Sequence, residues 1–262
     1  MRLPAWLRAA ALVGIALLVL PLLGLLTRVH YSTLWQDLTS ESALNALGLS
    51  LLTAAFATAT CLVFGFPLAL VISRSSSRVA AVLRAVVLIP LVLPPMVGGL
   101  ALLSLLGRSG LLGQPVFEAT GFSLPYTTAG VVVAQVFVAM PFFVISVEGA
   151  LRTSGQGHEF VAASLGANRW RVLTRVTVPL VMPGLVAGTV LAFARAMGEF
   201  GATALFAGNA PGVTRTMPLA IYTAYNGVGV SQDTALALSL LLLVSAAVIV
   251  VGLRSWREDA VR

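Results

Sequence analysis

The chain has 262 residues, of which 58% are hydrophobic and only 10% charged, with a mean hydropathy of +0.99. Soluble domains are about 45–50% apolar and about 25% charged, so this composition excludes one and calls for an integral membrane protein with spans of about 20 apolar residues. All 16 basic residues are Arg, which excludes a Schiff-base lysine and a Walker A phosphate loop, since both need the lysine amine.

Runs free of charge predict the spans in chain order: 9–27, 42–73, 85–107, a fourth within 127–147, a fifth from about 176 to 207, and 234–253. The first follows Arg2 and Arg8 like a secretory signal, but 22–27 offers no small-x-small cleavage site, so it reads as a retained helix. The third contains Pro90, Pro94 and Pro95. Proline removes backbone hydrogen bonds and kinks or breaks a helix, at membrane depth either for packing or beside a transport site. Cys61 lies within an apolar run and reads as inert packing.

The expected fold is therefore all-α, a single membrane domain over 1–262 forming a six-transmembrane-helix bundle with both termini cytoplasmic. With that topology, twelve arginines fall inside (Arg2, Arg8, Arg74, Arg78, Arg84, Arg152, Arg169, Arg171, Arg175, Arg254, Arg257 and Arg262) against Arg28, Arg108 and Arg215 outside. That asymmetry is the positive-inside bias. It explains the pI near 11.0 without nucleic acid, because the arginines are scattered among apolar spans rather than gathered on one face.

The segment 152–179 lies between the fourth and fifth spans, on the arginine-rich side. Glu159 to Leu165 favours a helix, Gly166 can end it in a left-handed turn, and 167–175 can restart as a second short helix. Ala162 and Ala163 admit a close partner surface, Glu159 offers a charge for register, and Trp170 an anchor. The alternative is an amphipathic loop lying on lipid.

Glu159, Ala162-Ala163, Gly166 and then Pro179, 13 residues beyond that Gly, resemble the "EAA" coupling loop of binding-protein-dependent ABC importer permeases; here Phe160 and Val161 separate the acid from the alanines. The resemblance implies that Glu159, Ala162, Ala163, Gly166 and Trp170 couple to cytoplasmic ABC ATPase subunits.

Within the fifth run, Arg195 and Glu199 are four apart, hence on one helix face and able to pair. Ionisable groups inside a span are costly and face a bundle interior or a watery cavity. The pair either fixes helix packing or meets an anion. Arg195-Ala196-Met197-Gly198-Glu199-Phe200-Gly201-Ala202-Thr203, with Phe206–Asn209 and Thr214–Tyr222, resembles the fifth-span signature of molybdate permeases. Sulfate permeases share the Arg-Ala-x-Gly-Glu core but usually diverge in the Phe-Gly-Ala-Thr and Thr-Arg-Thr parts.

The resemblance extends over a permease core of about 43–253, with 152–179 as its cytoplasmic coupling loop. It implies a type I ABC importer moving molybdate by alternating access across a bacterial or archaeal cytoplasmic membrane. A homodimer in lipid, two ATPase subunits below and an extracytoplasmic oxyanion-binding protein above would complete it. Arg195, Glu199, Thr203, Pro94 and Pro95 are the translocation-pathway candidates. No cofactor, metal site or catalytic residue is expected: His30 and His158 fall on opposite sides without ligand-spaced partners. Tungstate and sulfate or thiosulfate are rival cargoes. A self-powered secondary anion transporter is the rival class, but it has no use for an ATPase-docking loop.

Overall fold

A computed structural model describes residues 4–227 and 232–259, with side chains to residue 248. Arg2 and Arg262 of the charge tally lie outside the described residues, as do the side chains of Arg254 and Arg257. The regular elements among the described residues are all helices: α1 (Ala5–Arg28), α2 (Leu34–Thr39), α3 (Glu41–Arg74), α4 (Ser77–Val92), α5 (Pro95–Leu106), α6 (Gly113–Thr120), α7 (Thr128–Ser154), α8 (Gly157–Ser164), α9 (Arg169–Met197), α10 (Gly201–Phe206), α11 (Met217–Asn226) and α12 (Gln232–Asp259).

The six-span bundle expected from composition is not what the chain forms. Among the described residues four helices are long and apolar enough to cross a membrane, namely α1, α3, α7 and α9, or five if α4 and α5 count as one span. The described apolar part of α12, Gln232–Val248, is shorter than those four. The placement of both termini on one side depended on an even count, which four spans would keep and five would not.

Two local breaks depart from the expected runs, and the first of them takes the third span out of the count. The axes of α4 and α5 meet at 111°. Pro94 and Pro95 have no N–H to donate, and each forces the residue before it out of the helical region; Leu93 and Pro94 accordingly take extended ψ angles of 137° and 133°. The fifth run, expected to continue to about 207, stops at Met197, and α10 begins afresh at Gly201.

Other boundaries follow their caps. Ser40 Oγ accepts from Ala43 N–H at the start of α3, and Thr127 Oγ1 from Gly130 N–H at the start of α7. The expected second span, 42–73, matches α3 to within a residue at each end; a π turn at Cys61–Gly65 widens it without ending it.

The core centres on α7. More than half of its apolar window is buried, 56%, whereas α1 buries none of its residues. Ala54, Ala57, Cys61, Ala69 and Ile72 of α3 meet Ala139, Phe143, Val144 and Val147 of α7 and Val181, Ala192, Ala196 and Met197 of α9. Small residues dominate, as expected where water cannot drive helices together and close van der Waals contact must. A second cluster joins Leu102 of α5 and Ala134 and Val138 of α7 to Ala202 and Phe206 of α10.

Candidate functional site

The segment after α7 folds as its residues dictate. Gly155, at φ +64°, ends α7, and α8 follows almost at once. Gly166 N–H bonds to Ala163 C=O and Ala167 N–H to Ala162 C=O, the paired bonds of a Schellman turn, with Gly166 at φ +86°. Asn168 Oδ1 then accepts from Arg171 N–H at 2.8 Å and starts α9. The left-handed glycine is as the sequence predicts; the helix does restart, but as the first turns of the 29-residue α9 rather than as a second short helix over 167–175.

The side chains sort into two sets. Phe160, Val161, Leu165 and Trp170 are 68%, 62%, 83% and 71% exposed. Glu159 is turned the other way: Arg74 Nη2 donates to its Oε1 at 2.8 Å and its Oε2 at 3.0 Å, and Thr177 Oγ1 donates to Oε1 at 2.6 Å. A cleft of about 280 Å³ opens beside it, lined by Arg74, Glu159, Phe160, Ala163, Ala167 and Arg169 among others. The fold thus gathers Glu159 and Ala163 at one cleft, leaves Ala162 half-buried, and puts Trp170 on the open surface away from it.

The second group assembles where α9 stops. Arg195 Nη2 lies 2.6 Å from Glu199 Oε2, an ion-pair contact too oblique for a straight hydrogen bond. Glu199 Oε1 accepts from Ala202 N–H at 2.8 Å, so a buried carboxylate both neutralises Arg195 and caps α10. The break packs directly on the proline break of α4 and α5. A Cβ at Gly201 would lie 2.9 Å from Pro95 Cβ, and one at Gly99 would lie 2.9 Å from the Ala202 carbonyl. Thr203 Oγ1 is fully buried with no hydrogen-bond partner. Glu199, Thr203 and Pro95 therefore share one neighbourhood, with Arg195 on its flank and a quarter exposed. Pro94 and Pro95 are themselves exposed.

Several residues escaped the sequence. Arg74 and Thr177 stand 85 and 18 positions from Glu159, and no local pattern joins them. Arg84 Nε and Nη2 donate to Glu148 Oε1 at 2.9 and 2.6 Å, tying α4 to α7; Glu148 lies one residue past the expected end of the fourth span and was passed over. Gln135, wholly buried in α7, has neither amide atom partnered. The exposed Phe160, Val161 and Leu165 carry a signal, apolar residues in a segment too short to span, although the sequence pattern presents Phe160 and Val161 as a separation between Glu159 and the alanines and Leu165 as the end of a helix. Arg215, one of the three arginines counted outside, is clipped to Asn209 through Nε–H to Oδ1 at 2.9 Å and Nη2–H to the carbonyl at 3.3 Å.

Comparison with known proteins places this geometry in a class. A family model described as "binding-protein-dependent transport system inner membrane component" matches residues 62–256, and the chain belongs to that family; it is a permease subunit of an ABC importer, not an enzyme. It is 50% identical over 250 residues to the molybdenum transport system permease protein ModB of Mycobacterium tuberculosis, covering 95% of this chain and 93% of that one. With its namesake from Escherichia coli K12 it shares 41% over 179 residues, 68% of this chain and 78% of the other. Among solved structures, a bacterial ABC transporter involved in the import of the acidic polysaccharide alginate superposes with a TM-score of 0.72 at 19% identity, over 97% of this chain and 96% of that one, a likeness of fold alone.

Proposed function

We propose that this permease subunit carries molybdate across the cytoplasmic membrane, driven by separate ATPase subunits that grip the α8 segment and fed by an extracytoplasmic oxyanion-binding protein, with two copies of the chain forming one pathway. The observation that supports coupling is the exposed apolar set Phe160 and Val161 on α8, Leu165 at its end and Trp170 in the first turn of α9, beside a single acid, Glu159, that is satisfied from behind. A patch of that kind on a water-facing segment marks a protein contact. Arg152, Arg169, Arg171 and Arg175 flank the segment, and Arg74 reaches it; a local arginine excess argues for the cytoplasmic side whatever the total number of spans. The cargo rests on the kinship with molybdenum permeases.

In this reading the paired helix breaks, Leu93–Pro95 and Gly198–Phe200, border the pathway, with Glu199 fixing the break and Arg195 lending positive charge to a passing dianion. ATP-driven closure of the ATPases would displace α8 and switch the bundle between two packed states rather than deform it continuously. The test is the reconstituted complex of this chain, its ATPase and its binding protein, assayed for hydrolysis and uptake with molybdate, tungstate and sulfate. Stimulation by molybdate above sulfate is expected. Stimulation by none of the three would end the oxyanion reading.

A further inference from the structure

Among the described residues, the side-chain hydrogen bonds that join α8 to the long helices all run to a single carboxylate. Glu159 receives Arg74 Nη2 on both oxygens and Thr177 Oγ1 on one, all within 3.0 Å. Arg74 is the last residue of α3, and Thr177, 1% exposed, stands in the early turns of α9. One side chain on α8 therefore grips the ends of two different long helices, and both of these pack on α7. Hydrogen bonds to an ionised acceptor are short and directional, so the grip fixes orientation as well as distance. The exposed residues of this segment include the apolar Phe160, Val161, Leu165 and Trp170 and the polar Gln156, His158, Ser164 and Asn168, and Glu159 is its only acid.

Resting on the coupling role proposed above, we infer that Glu159 is a positioning residue acting within its own chain: through Arg74 and Thr177 it clamps α8 to α3 and α9, so that a displacement of α8 moves both helices together. A direct Glu159 contact with the ATPase is the competing arrangement, and the geometry argues against it. The carboxylate is 17% exposed and already has three donor contacts, while the surface open to a partner is made by Phe160, Val161, Leu165 and Trp170. The Arg74 side chain is 45% exposed, and partly exposed ion pairs add little to overall stability. Variants of the clamp are therefore expected to insert and fold, which makes the inference testable in the intact assembly.

The experiment uses the reconstituted complex of this chain with its ATPase and binding protein. Glu159→Gln, Arg74→Met, Thr177→Val and the reversed pair Glu159→Arg with Arg74→Glu are compared with the parent. Three quantities are read: ATPase co-purified, molybdate taken up per ATP hydrolysed, and amide hydrogen exchange over residues 157–164. In each single variant the ATPase is retained, exchange over α8 rises and uptake per ATP falls, each by about tenfold for loss of bonds to a charged group. The reversed pair recovers most of both. Unchanged exchange and unchanged uptake per ATP in Glu159→Gln and Arg74→Met would overturn the clamp. So would loss of the ATPase in Glu159→Gln but not in Arg74→Met, because Glu159 would then be touching the partner itself. If the parent complex moves no molybdate, the cargo assignment fails alone, and the exchange measurement still decides for or against the clamp.

Discussion

Glu199 is buried to 1% exposure inside an apolar bundle, where an unpaired carboxylate would be prohibitive. It is tolerated because Arg195 neutralises one oxygen and the Ala202 N–H, at the positive end of α10, satisfies the other. Removing one member of a buried pair strands the other, at a cost of about 3 kcal/mol. Glu199→Gln is therefore expected to lower the unfolding free energy in detergent by about that amount, read from the denaturation midpoint. Adding Arg195→Met should recover most of the loss; failure to recover would mean that Arg195 is not the partner that matters. Uptake by the doubly substituted protein then separates packing from passage, since a stable but inactive variant gives Arg195 a part in moving the anion. The pairing itself was legible in the sequence, because four residues is one helical turn. The cap on Ala202 was not, since it exists only once the helix has stopped.

At the scale of elements, α8 is the clearest case of sequence dictating structure. Gly166 sets its end by local chemistry that can be read directly, and Asn168 caps the next start, one residue beyond the restart expected at 167. The partners of Glu159 could not be read, because Arg74 comes from the far end of a different helix and the sequence presents it only as one charge in a topological tally. The third span failed for another reason. A charge-free run gives length and apolarity but not straightness, and Pro94-Pro95 turned one expected span into two helices at 111°. The exposed face of the α8 segment carries its own prediction. Replacing Phe160, Leu165 and Trp170 by Ser removes apolar contact area worth about 1–2 kcal/mol per residue at an interface centre. The triple variant should lose its ATPase on size exclusion while the thermal midpoint of the isolated subunit stays within a few degrees of the parent. Retention of the ATPase would show that the docking surface lies elsewhere.

The whole molecule is organised around the seam between α7 and α9, where backbones come close enough that a Cβ at Gly184 would overlap that of Ala150. Ser146 Oγ–H also donates across this seam to the Gly184 carbonyl at 3.2 Å. Overpacking of this kind costs about 1–3 kcal/mol, so Gly184→Ala should lower the thermal midpoint of the purified subunit. Adding Ala150→Gly clears the overlap and should restore it. A neutral Gly184→Ala would mean the two helices can slide apart more easily than their packing implies. Composition announced a bundle of apolar helices, but not which pair forms the keel, because 24 glycines offer many candidate seams and only the fold chooses among them.

The elbow at Leu93–Pro95 has a mechanical consequence for the rest of the bundle. A continuous helix passes twist along its axis because each turn is bonded to the one before it, and two adjacent residues without N–H groups interrupt that chain of bonds. α4 is lashed to α7 by Arg84 and Glu148, whereas α5 bears on α10, the neighbourhood of Glu199 and, through Leu102, a different stretch of α7. The elbow thus works as a universal joint: rotation of the first shaft need not turn the second, and the molecule can rearrange at one end of this broken segment while holding its shape at the other.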